Sequence, residues 1–292
     1  MPERLFVRLD GDPLYAPETD VPAGTMTAYD VAEPLRAHVA HIAVYRERLA
    51  EGKAVEERVL PDGAVHLIFN LGDAPQVQGQ PAFAAEVVGP STVPVLLRLQ
   101  GQLAGLSMAL RPGAAAALLG VPANELAHTA LPLSELWRGE ADGLLERLAA
   151  APDDAARIAL LQHALMKRLQ ACDEHDATPR RQAAQAARLL AASDPADGSV
   201  GDIARMLGIG ERRLQQLFQQ HIGLTPRAWK RLARLHACLR ALREPAAAPR
   251  WADVAVDHGF YDQSHLVNEF RAICGLSPGL FFERVVAGSS KT

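Results

Sequence analysis

Few residues in the first half of this 292-residue chain are spaced to do chemistry together. His38 and His41 stand three positions apart, a spacing that could put both imidazoles on one face of a helix and supply half of a metal site. No carboxylate or cysteine stands at ligand spacing from them, so surface exposure or packing is the favoured interpretation of the pair. The sequence therefore predicts no metal and no other cofactor.

Four polar residues lie within apolar segments that the sequence pattern predicts to be strands. His66 and Asn70 interrupt the segment AVHLIFNL, and Ser107 and Arg111 belong to a later segment of the same kind. An arginine at the edge of a pocket can hold a carboxylate or a phosphate through two parallel hydrogen bonds. We take these four residues as candidates for an effector pocket, with a hydrogen-bonded structural role as the alternative for each.

Sequence signatures of catalysis are missing. No nucleophile elbow, phosphate-binding glycine loop or dinucleotide fingerprint occurs in a supporting context. Cys172, Cys238 and Cys274 are far apart and form no CxxC or Cys/His cluster, which is typical of a reducing compartment. No charge-free apolar run approaches the ~18 residues of a membrane span, and the amino terminus lacks a signal peptide's apolar core. We predict a cytoplasmic protein that is not an enzyme and has no membrane partner.

The strongest pattern is a repeat in the last third of the chain. Ile203-Ala204-x3-Gly208, Leu214-x3-Phe218 and Gly223-Leu224-Thr225-Pro226 recur as Val254-Ala255-x3-Gly259, Leu266-x3-Phe270 and Gly275-Leu276-Ser277-Pro278. From Phe to Pro the two copies are offset by a constant 52 residues (270 − 218 and 278 − 226). A short helix, a turn containing glycine and a second helix form a helix-turn-helix, so the pattern predicts two such units. Two units in one chain can address two successive segments of the DNA major groove.

Local signals predict where the helices of the repeat begin and end. Ser199 and Asp202 have the spacing of a capping box, Thr225-Pro226 is a helix start, and Gly223 suits a left-handed helix end. The second copy repeats these signals. Between the copies, residues 226–242 predict one amphipathic helix, because its leucines recur at helical spacing while most of its basic residues lie elsewhere. Such a helix would hold the two units at a fixed separation.

These residues closely resemble the AraC/XylS family of bacterial transcription regulators. The segment 253–284, which contains GF-x-D-Q-S-H-L-x-x-x-F-(x)4-G-L-S-P, is similar to that family's signature, and the first copy fits it too. The resemblance covers roughly residues 180–284 and implies a seven-helix domain with two helix-turn-helix units joined by a linker helix. It also implies the base-facing positions, which are Arg212, Gln215 and Gln216 in the first unit and Gln263, Ser264 and Asn268 in the second.

Two departures from the family pattern bear on the target sequence. Gly210 replaces the usual Ser/Thr cap, and Asn268 stands where a basic residue is common. Arginine pairs with guanine through two hydrogen bonds, and glutamine pairs with adenine in the same way. Arg212 therefore suits guanine, with a backbone phosphate as its alternative partner, and Gln215 and Gln263 suit adenine.

Charge is distributed unevenly along the chain. The whole chain has 30 basic and 34 acidic residues, a net charge of −4. Residues 1–177 carry 14 basic and 24 acidic residues (14 − 24 = −10), and the remainder carries 16 and 10 (16 − 10 = +6). A basic module is the electrostatic footprint of contact with nucleic-acid phosphates. We expect Lys230, Arg231 and Arg234 of the linker helix to lie near phosphate or solvent, where they add affinity without sequence information.

The chain divides near the polar segment 173–179, which ends in a helix-start signal. Residues 1–172 predict an α+β domain in which strands at 64–71, 86–88, 93–99 and 103–111 form a small β-sheet that is followed by helices. Residues 180–286 predict the all-α domain with two helix-turn-helix units, and the short linker favours coupling between the domains. The stretches PDGAVHLIFNLGD, VGPST and RPGAAAALLGVPANEL resemble an amino-terminal domain that often precedes AraC-type units.

Together these patterns predict a sequence-specific transcription regulator whose amino-terminal domain senses a small molecule or mediates dimerisation. Double-stranded DNA and an unidentified small-molecule effector are the expected partners, and RNA polymerase is a further candidate. The alternative is an architectural DNA-binding module without promoter specificity, which steep salt dependence with little sequence preference would indicate. Monomer and homodimer both stay open, because two units in one chain make a DNA-binding monomer feasible.

Overall fold

The computed structural model describes residues 3–6, 24–172, 177–192, 199–242 and 249–289. Within these ranges the amino-terminal part contains β-sheets followed by helices, and the carboxy-terminal part contains helices alone. The predicted order of an α+β domain and an all-α domain is therefore confirmed.

Two β-sheets form the amino-terminal domain. Their strands are β1 Glu3–Phe6, β2 Met26–Tyr29, β3 Val39–Arg48, β4 Ala54–Val59, β5 His66–Asn70, β6 Gln76–Val77, β7 Gln80–Pro81, β8 Ala85–Val88, β9 Val95–Gln100, β10 Gln102–Leu110 and β11 Ala130–Pro132. A six-stranded sheet has the order β11-β8-β5-β10-β3-β2 and is antiparallel throughout. A five-stranded sheet has the order β1-β4-β9-β6-β7, and β1 and β4 are its parallel pair.

The sheets are more extensive than the small sheet that the sequence predicts. The four predicted strands correspond to β5, β8, β9 and β10, whereas β3 and β4 have no counterpart in the prediction. His38 and His41 do not share a helical face, the arrangement that a metal site would need, because His41 lies within β3 and His38 lies in the turn before it. Pairing with β10 along almost its whole length makes this segment a strand, and such long-range pairing leaves no local signal.

One face of the six-stranded sheet is apolar and is covered by helices. Val87, Leu67, Met108 and Ile42 pair across four neighbouring strands and are all completely buried. The helices of this domain are α1 Ala115–Leu119, α2 Ala123–Leu126, α3 Glu140–Ala150 and α4 Asp154–Gln170. Apolar side chains of α1, α3 and α4 join the same core, so burial of these faces fixes the helices on the sheet.

Seven helices follow in the described part of the carboxy-terminal domain, as the family resemblance implies. They are α5 Ala177–Ala192, α6 Val200–Met206, α7 Glu211–Ile222, α8 Pro226–Ala241, α9 Trp251–Asp257, α10 Gln263–Cys274 and α11 Pro278–Ser289. The pairs α6–α7 and α9–α10 are the two helix-turn-helix units, α8 is the linker helix, and we call α7 and α10 the recognition helices.

The first of these helices begins earlier than the sequence predicts. Helix α5 begins at Ala177 and so includes the last part of the predicted linker, whose residues 173–176 lie outside the described ranges. Pro179 stands in the first turn of α5, where a missing backbone N–H breaks no hydrogen bond within the helix. The proline that suggests a helix start thus stands just inside it.

The predicted helix caps are present. The Ser199 hydroxyl accepts from the backbone N–H of Asp202 at 3.1 Å, and the Asp202 carboxylate accepts from the Ser199 N–H at 3.1 Å, which completes a capping box. Thr225 caps α8 by accepting from the N–H of Ala228 at 3.1 Å. Helix α7 has no side-chain cap among the described residues, because Gly210 stands where the family usually has Ser or Thr.

Helix α8 connects the two units through its buried side. Leu232, Leu235 and Leu239 belong to the apolar core of the second unit, while Trp229 packs against the core of the first unit. The Trp229 indole N–H also donates to the carbonyl of Ala187 in α5 at 2.9 Å. One helix therefore packs against both units and holds them together. Among the helices of the described ranges, none has the length and apolarity needed to cross a membrane.

Candidate nucleic-acid interface

The first recognition helix has one buried and one exposed side. Leu214, Leu217 and Phe218 are completely buried in the core of the first unit. The predicted base-facing residues of this unit lie on the other side, and all three are exposed: Arg212, Gln215 and Gln216. The apolar stripe orients the helix, and this orientation leaves the polar residues together on its outer surface.

The second recognition helix repeats this arrangement. Leu266 and Phe270 are completely buried, and the predicted residues Gln263, Ser264 and Asn268 are exposed. Asp262 caps the helix by accepting from the N–H of His265 at 2.7 Å. The residue before this cap, Tyr261, is 91% exposed, an unusual position for an aromatic side chain. Sequence reasoning missed Tyr261, although an aromatic residue directly before a helix cap is a usable signal.

The outer side of α7 also borders the amino-terminal domain. A groove of about 560 Å³ is lined by Pro122 and Asn124, at the start of α2, together with five polar residues of α7. Those five are Arg212, Gln215, Gln216, Gln219 and Gln220. Sequence reasoning could not find this neighbour, because only the tertiary arrangement brings residues 122–124 beside α7.

Each recognition helix ends against the amino-terminal domain. A Cβ added to Gly223, after α7, would stand 2.6 Å from the carbonyl oxygen of Ala123 and 2.6 Å from Cγ of Pro90. A Cβ added to Gly275, after α10, would meet the guanidinium of Arg58 and stand 3.4 Å from Cγ of Pro94. Both helix ends therefore approach the other domain so closely that a side chain does not fit without displacement.

Polar contacts strengthen the domain interface near the second unit. Glu3 in β1 accepts from Arg58 Nε at 2.7 Å and from Arg284 Nη1 of α11 at 3.0 Å. Burial by itself would raise the pKa of the Glu3 carboxyl, but the hydrogen bonds and charges of the two arginines outweigh it and lower that pKa. On α8, the ring nitrogen Nε2 of His236 lies 2.9 Å from the carbonyl oxygen of Pro61.

Three of the four candidate effector residues lie on the face of the six-stranded sheet opposite the helices. Strand register puts His66, Asn70 and Ser107 on this face. Arg111 lies beyond the end of β10, is exposed, and donates from Nε to the backbone carbonyl of Arg36 at 2.8 Å. The structure thus brings three of the predicted residues to one surface and leaves Arg111 at its edge.

His66 and Asn70 have partners within the protein. His66 Nε2 lies 3.0 Å from the carboxylate of Asp62, and Asn70 accepts from the Tyr45 hydroxyl at 2.6 Å. Asn70 also donates to the carbonyl of Phe83 at 2.7 Å. Burial would raise the pKa of Asp62, yet the charge and hydrogen bond of His66 hold it below its usual range.

A buried acid on this face escaped sequence reasoning. Glu86 in β8 is 6% exposed and shares a row with Ile68 and Ser107. Burial raises the pKa of Glu86 to about 7, against the smaller opposite effect of a backbone hydrogen bond from Phe83. A carboxyl inside the short apolar strand AEVV was the available sequence signal.

The second sheet meets this polar face through one arginine. Arg4 in β1 donates to both carboxylate oxygens of Glu47 in β3, at 2.8 and 2.6 Å, and to Glu57 in β4 at 2.6 Å. Arg4 and Glu57 are 7% and 8% exposed. Glu47 lies on the same side of β3 as Tyr45, so this ion-pair cluster joins the two sheets at one end of the polar face.

Two family models match separate parts of the chain. Residues 203–284 match the family model of a helix-turn-helix domain, and residues 28–132 match that of a domain of unknown function, DUF6597. No curated protein shows significant sequence similarity to the chain.

Several solved structures are similar to parts or most of the chain. A transcriptional regulator with an AraC-type DNA-binding domain from Chromobacterium violaceum is 22% identical over 37% of this chain and 96% of its own, with a TM-score of 0.34. A probable AraC family regulator from Rhodopseudomonas palustris is 21% identical over 36% of this chain and 97% of its own, with a TM-score of 0.34. ToxT from Vibrio cholerae, in a structure with bound unsaturated fatty acid, is 10% identical over 86% of this chain and 96% of its own, with a TM-score of 0.44.

The fold and the exposed recognition helices define a chain with a double helix-turn-helix DNA-binding domain. More specifically, this carboxy-terminal domain is of the AraC type, as the repeat, the signature segment and the family match agree.

Proposed function

We propose that this protein regulates transcription by reading two adjacent DNA segments, one with each recognition helix. Arg212, Gln215 and Gln216 contact bases in the first segment, and Gln263, Ser264 and Asn268 do so in the second. The observation that carries the proposal is that all six side chains are exposed on the outer sides of α7 and α10. Arginine, glutamine and asparagine have the paired donors and acceptors that distinguish base edges in the major groove.

We further propose that residues 1–172 and 180–286 act as separate domains and that the first controls the second through a small molecule. The effector would bind on the polar face of the six-stranded sheet, next to His66, Asn70 and Ser107. Strand β8, which carries Glu86, leads directly into residues 89–94, and Pro90 and Pro94 of this loop stand 2.6 and 3.4 Å from the positions that a Cβ would take at Gly223 and Gly275, where the two recognition helices end. A shift of β8 would thus reach both helices.

Selection of genomic DNA fragments by the full-length protein tests the DNA-reading proposal. We expect two short motifs enriched about 10 base pairs apart, because one helical turn separates successive major-groove segments on one side of the duplex. Salt-sensitive binding without an enriched motif would instead favour an architectural DNA binder. A folded protein that binds no DNA would contradict the proposal.

Thermal-shift measurements on the full-length protein test the effector proposal. A panel of small amines and carboxylic acids is screened against the wild type and against Ser107→Val, which alters the polar face at a half-buried position. We expect at least one compound to raise the melting temperature of the wild type alone, because a ligand that binds only the folded state stabilises it. Sedimentation with and without that compound separates effector sensing from dimerisation. Transcription in vitro tests recruitment of RNA polymerase.

A further inference from the structure

A second polar cleft lies between the two helix-turn-helix units. It has a volume of about 370 Å³ and is bounded by α8 on one side and by His265 and Glu269 of α10 on the other. Val200, at the start of α6, and Thr225, the cap of α8, close its end toward the first unit. The cleft therefore touches both units and the helix that joins them.

The lining of this cleft is strongly cationic. Four basic side chains of α8 face it, and Glu269 is the one carboxylate among its lining residues: the four are Arg227, Lys230, Arg231 and Arg234. Glu269 is already engaged, because it accepts from Nε and Nη2 of Arg231 at 2.8 and 3.0 Å. Within the described part of the chain no carboxylate forms an ion pair with Arg227 or Arg234, so an anion entering the cleft would meet their positive charge.

Arg234 places a half-buried charge at this site. Its Nη1 donates to the carbonyl of Gly259 at 2.8 Å, and its guanidinium lies 5.1 Å from the ring centre of Phe260. Its Nε is buried and finds no acceptor within the described part of the chain. Burial lowers the pKa of Arg234, which means that its positive charge is incompletely compensated. A nearby anion would relieve that cost.

The position of the cleft indicates which anion it meets. Recognition helices in successive major-groove segments are separated by one turn of DNA, so the sugar-phosphate backbone crosses the protein surface between them. The cleft occupies that part of the protein, and His265 directly follows the exposed residues Gln263 and Ser264. Contacts to backbone phosphates fix the register of a protein on DNA without reading sequence.

We propose that this cleft binds one phosphate of the DNA backbone between the two recognition segments, with Arg227, Lys230 and Arg231 at its mouth and Arg234 beneath. The inference rests on the DNA reading proposed above and adds its register-setting contact. Because Glu269 holds Arg231 in a two-point pair, that guanidinium is preorganised rather than freely mobile. A phosphate contact at this site would raise the affinity for all DNA sequences alike.

The test compares Arg227→Gln and the double variant Arg227→Gln/Lys230→Gln with Arg240→Gln in the full-length protein. Arg240 is exposed on the same helix but outside the cleft, so it controls for the loss of a charge. We expect the double variant to bind specific and non-specific DNA roughly tenfold more weakly, as for loss of a charged hydrogen bond. The salt dependence of log K should become shallower by about 1, with unchanged sequence preference. Arg227→Gln alone should move both quantities in the same direction, which keeps the test valid if the double variant does not fold.

Ethylation interference on the selected DNA locates the contact. In the wild type and in Arg240→Gln, ethylation of one phosphate between the two motifs should interfere with binding, and in the double variant that interference should be lost. If the double variant had the same salt dependence of log K and the same interference pattern as Arg240→Gln, the inference would be overturned, while DNA reading would stay intact. A wild type that binds no DNA would overturn both.

Titration with inorganic phosphate distinguishes a free anion from the DNA backbone. We expect the wild type to bind inorganic phosphate weakly, at millimolar concentrations. The double variant should lose this binding and should also bind DNA more weakly. Tight phosphate binding that is lost in the double variant, with DNA binding unaffected, would assign the cleft to a free anion and contradict the backbone contact.

Discussion

Gly223 and Gly275 occupy equivalent positions in the repeat, 52 residues apart (275 − 223), and both meet the same loop of the amino-terminal domain. Each ends a recognition helix in the left-handed conformation, with φ of 80° and 69°. Gly223 faces Pro90 and Gly275 faces Pro94, at opposite ends of residues 89–94. The two glycines are thus both helix ends and docking points.

Replacing Gly223 with alanine should weaken the domain interface. The backbone strain of a left-handed alanine costs about 1–2 kcal/mol, and the new Cβ also collides with Ala123 and Pro90. Gly208→Ala is the matched control, because Gly208 has a φ of 67° and its added Cβ has no neighbour within 4 Å in the described part of the chain. Calorimetry should show a larger loss of stability for Gly223→Ala, with separate unfolding of the two domains. Equal losses in both variants would contradict docking at Gly223.

Replacing Arg4 with methionine should strongly destabilise the amino-terminal domain. The variant leaves Glu47 and Glu57 buried beside each other without a cation, and breaking such a buried ion pair costs about 3–5 kcal/mol. Arg46→Met removes a more exposed ion pair with Asp154 and should cost about 1 kcal/mol or less. Urea unfolding measures both losses. Partial recovery of Arg4→Met at acidic pH, where Glu57 with its raised pKa takes up a proton, would support the cause, and equal losses for the two variants would contradict it.

Glu86 should make stability fall as pH rises. Its pKa is raised in the folded protein from 4.5 to about 7, so folding favours the protonated form. The resulting stability is fully present below about pH 4.5 and is lost as pH rises through about 7, which amounts to about 3 kcal/mol. Glu86→Gln should remove this loss, so its stability relative to the wild type should increase between about pH 4.5 and pH 8.

Urea unfolding at several pH values checks this profile. Glu135→Gln changes an exposed glutamate and serves as the control, which should keep the wild-type profile. Parallel profiles for Glu86→Gln and the wild type would show that Glu86 does not titrate in this range.

Replacing Gln263 with alanine should relax sequence preference at one base pair. A lost pair of hydrogen bonds to a base edge costs about 1–3 kcal/mol on the preferred sequence and less on others. Gln185→Ala, an exposed glutamine of α5, is the control for the substitution itself. Binding measured on the selected motif and on single-base variants of it checks the prediction. An equal loss of affinity on every sequence would assign Gln263 to the backbone instead.

The helical domain could be predicted from sequence because its signals are local. Ser199 with Asp202, Thr225 with Pro226, and the helix-ending Gly223 act within one or two turns of chain, and the structure has each of them in the expected conformation. The predicted base-facing residues are exposed for a similar reason, since they alternate with a buried stripe of fixed period. Their contact with DNA stays a prediction.

Long-range pairing explains what the sequence did not predict. In β3, small Ala43 and polar His41 and Tyr45 alternate with buried Ile42 and Val44, and alanine fits a helix as well as a strand. The strand exists because β2 and β10 pair with it on both sides. The closeness of Asn124 to α7 likewise depends on how two domains dock, which no spacing within either segment records.

The loop at residues 89–94 lies near the ends of both recognition helices, since Pro90 and Pro94 stand 2.6 and 3.4 Å from the Cβ positions of Gly223 and Gly275. Helix α8 joins the two units within the carboxy-terminal domain, and this loop approaches them from the other domain. We expect that lengthening the loop changes the preferred number of base pairs between the two motifs without changing either motif. Promoter architecture would then depend partly on residues that never touch a base.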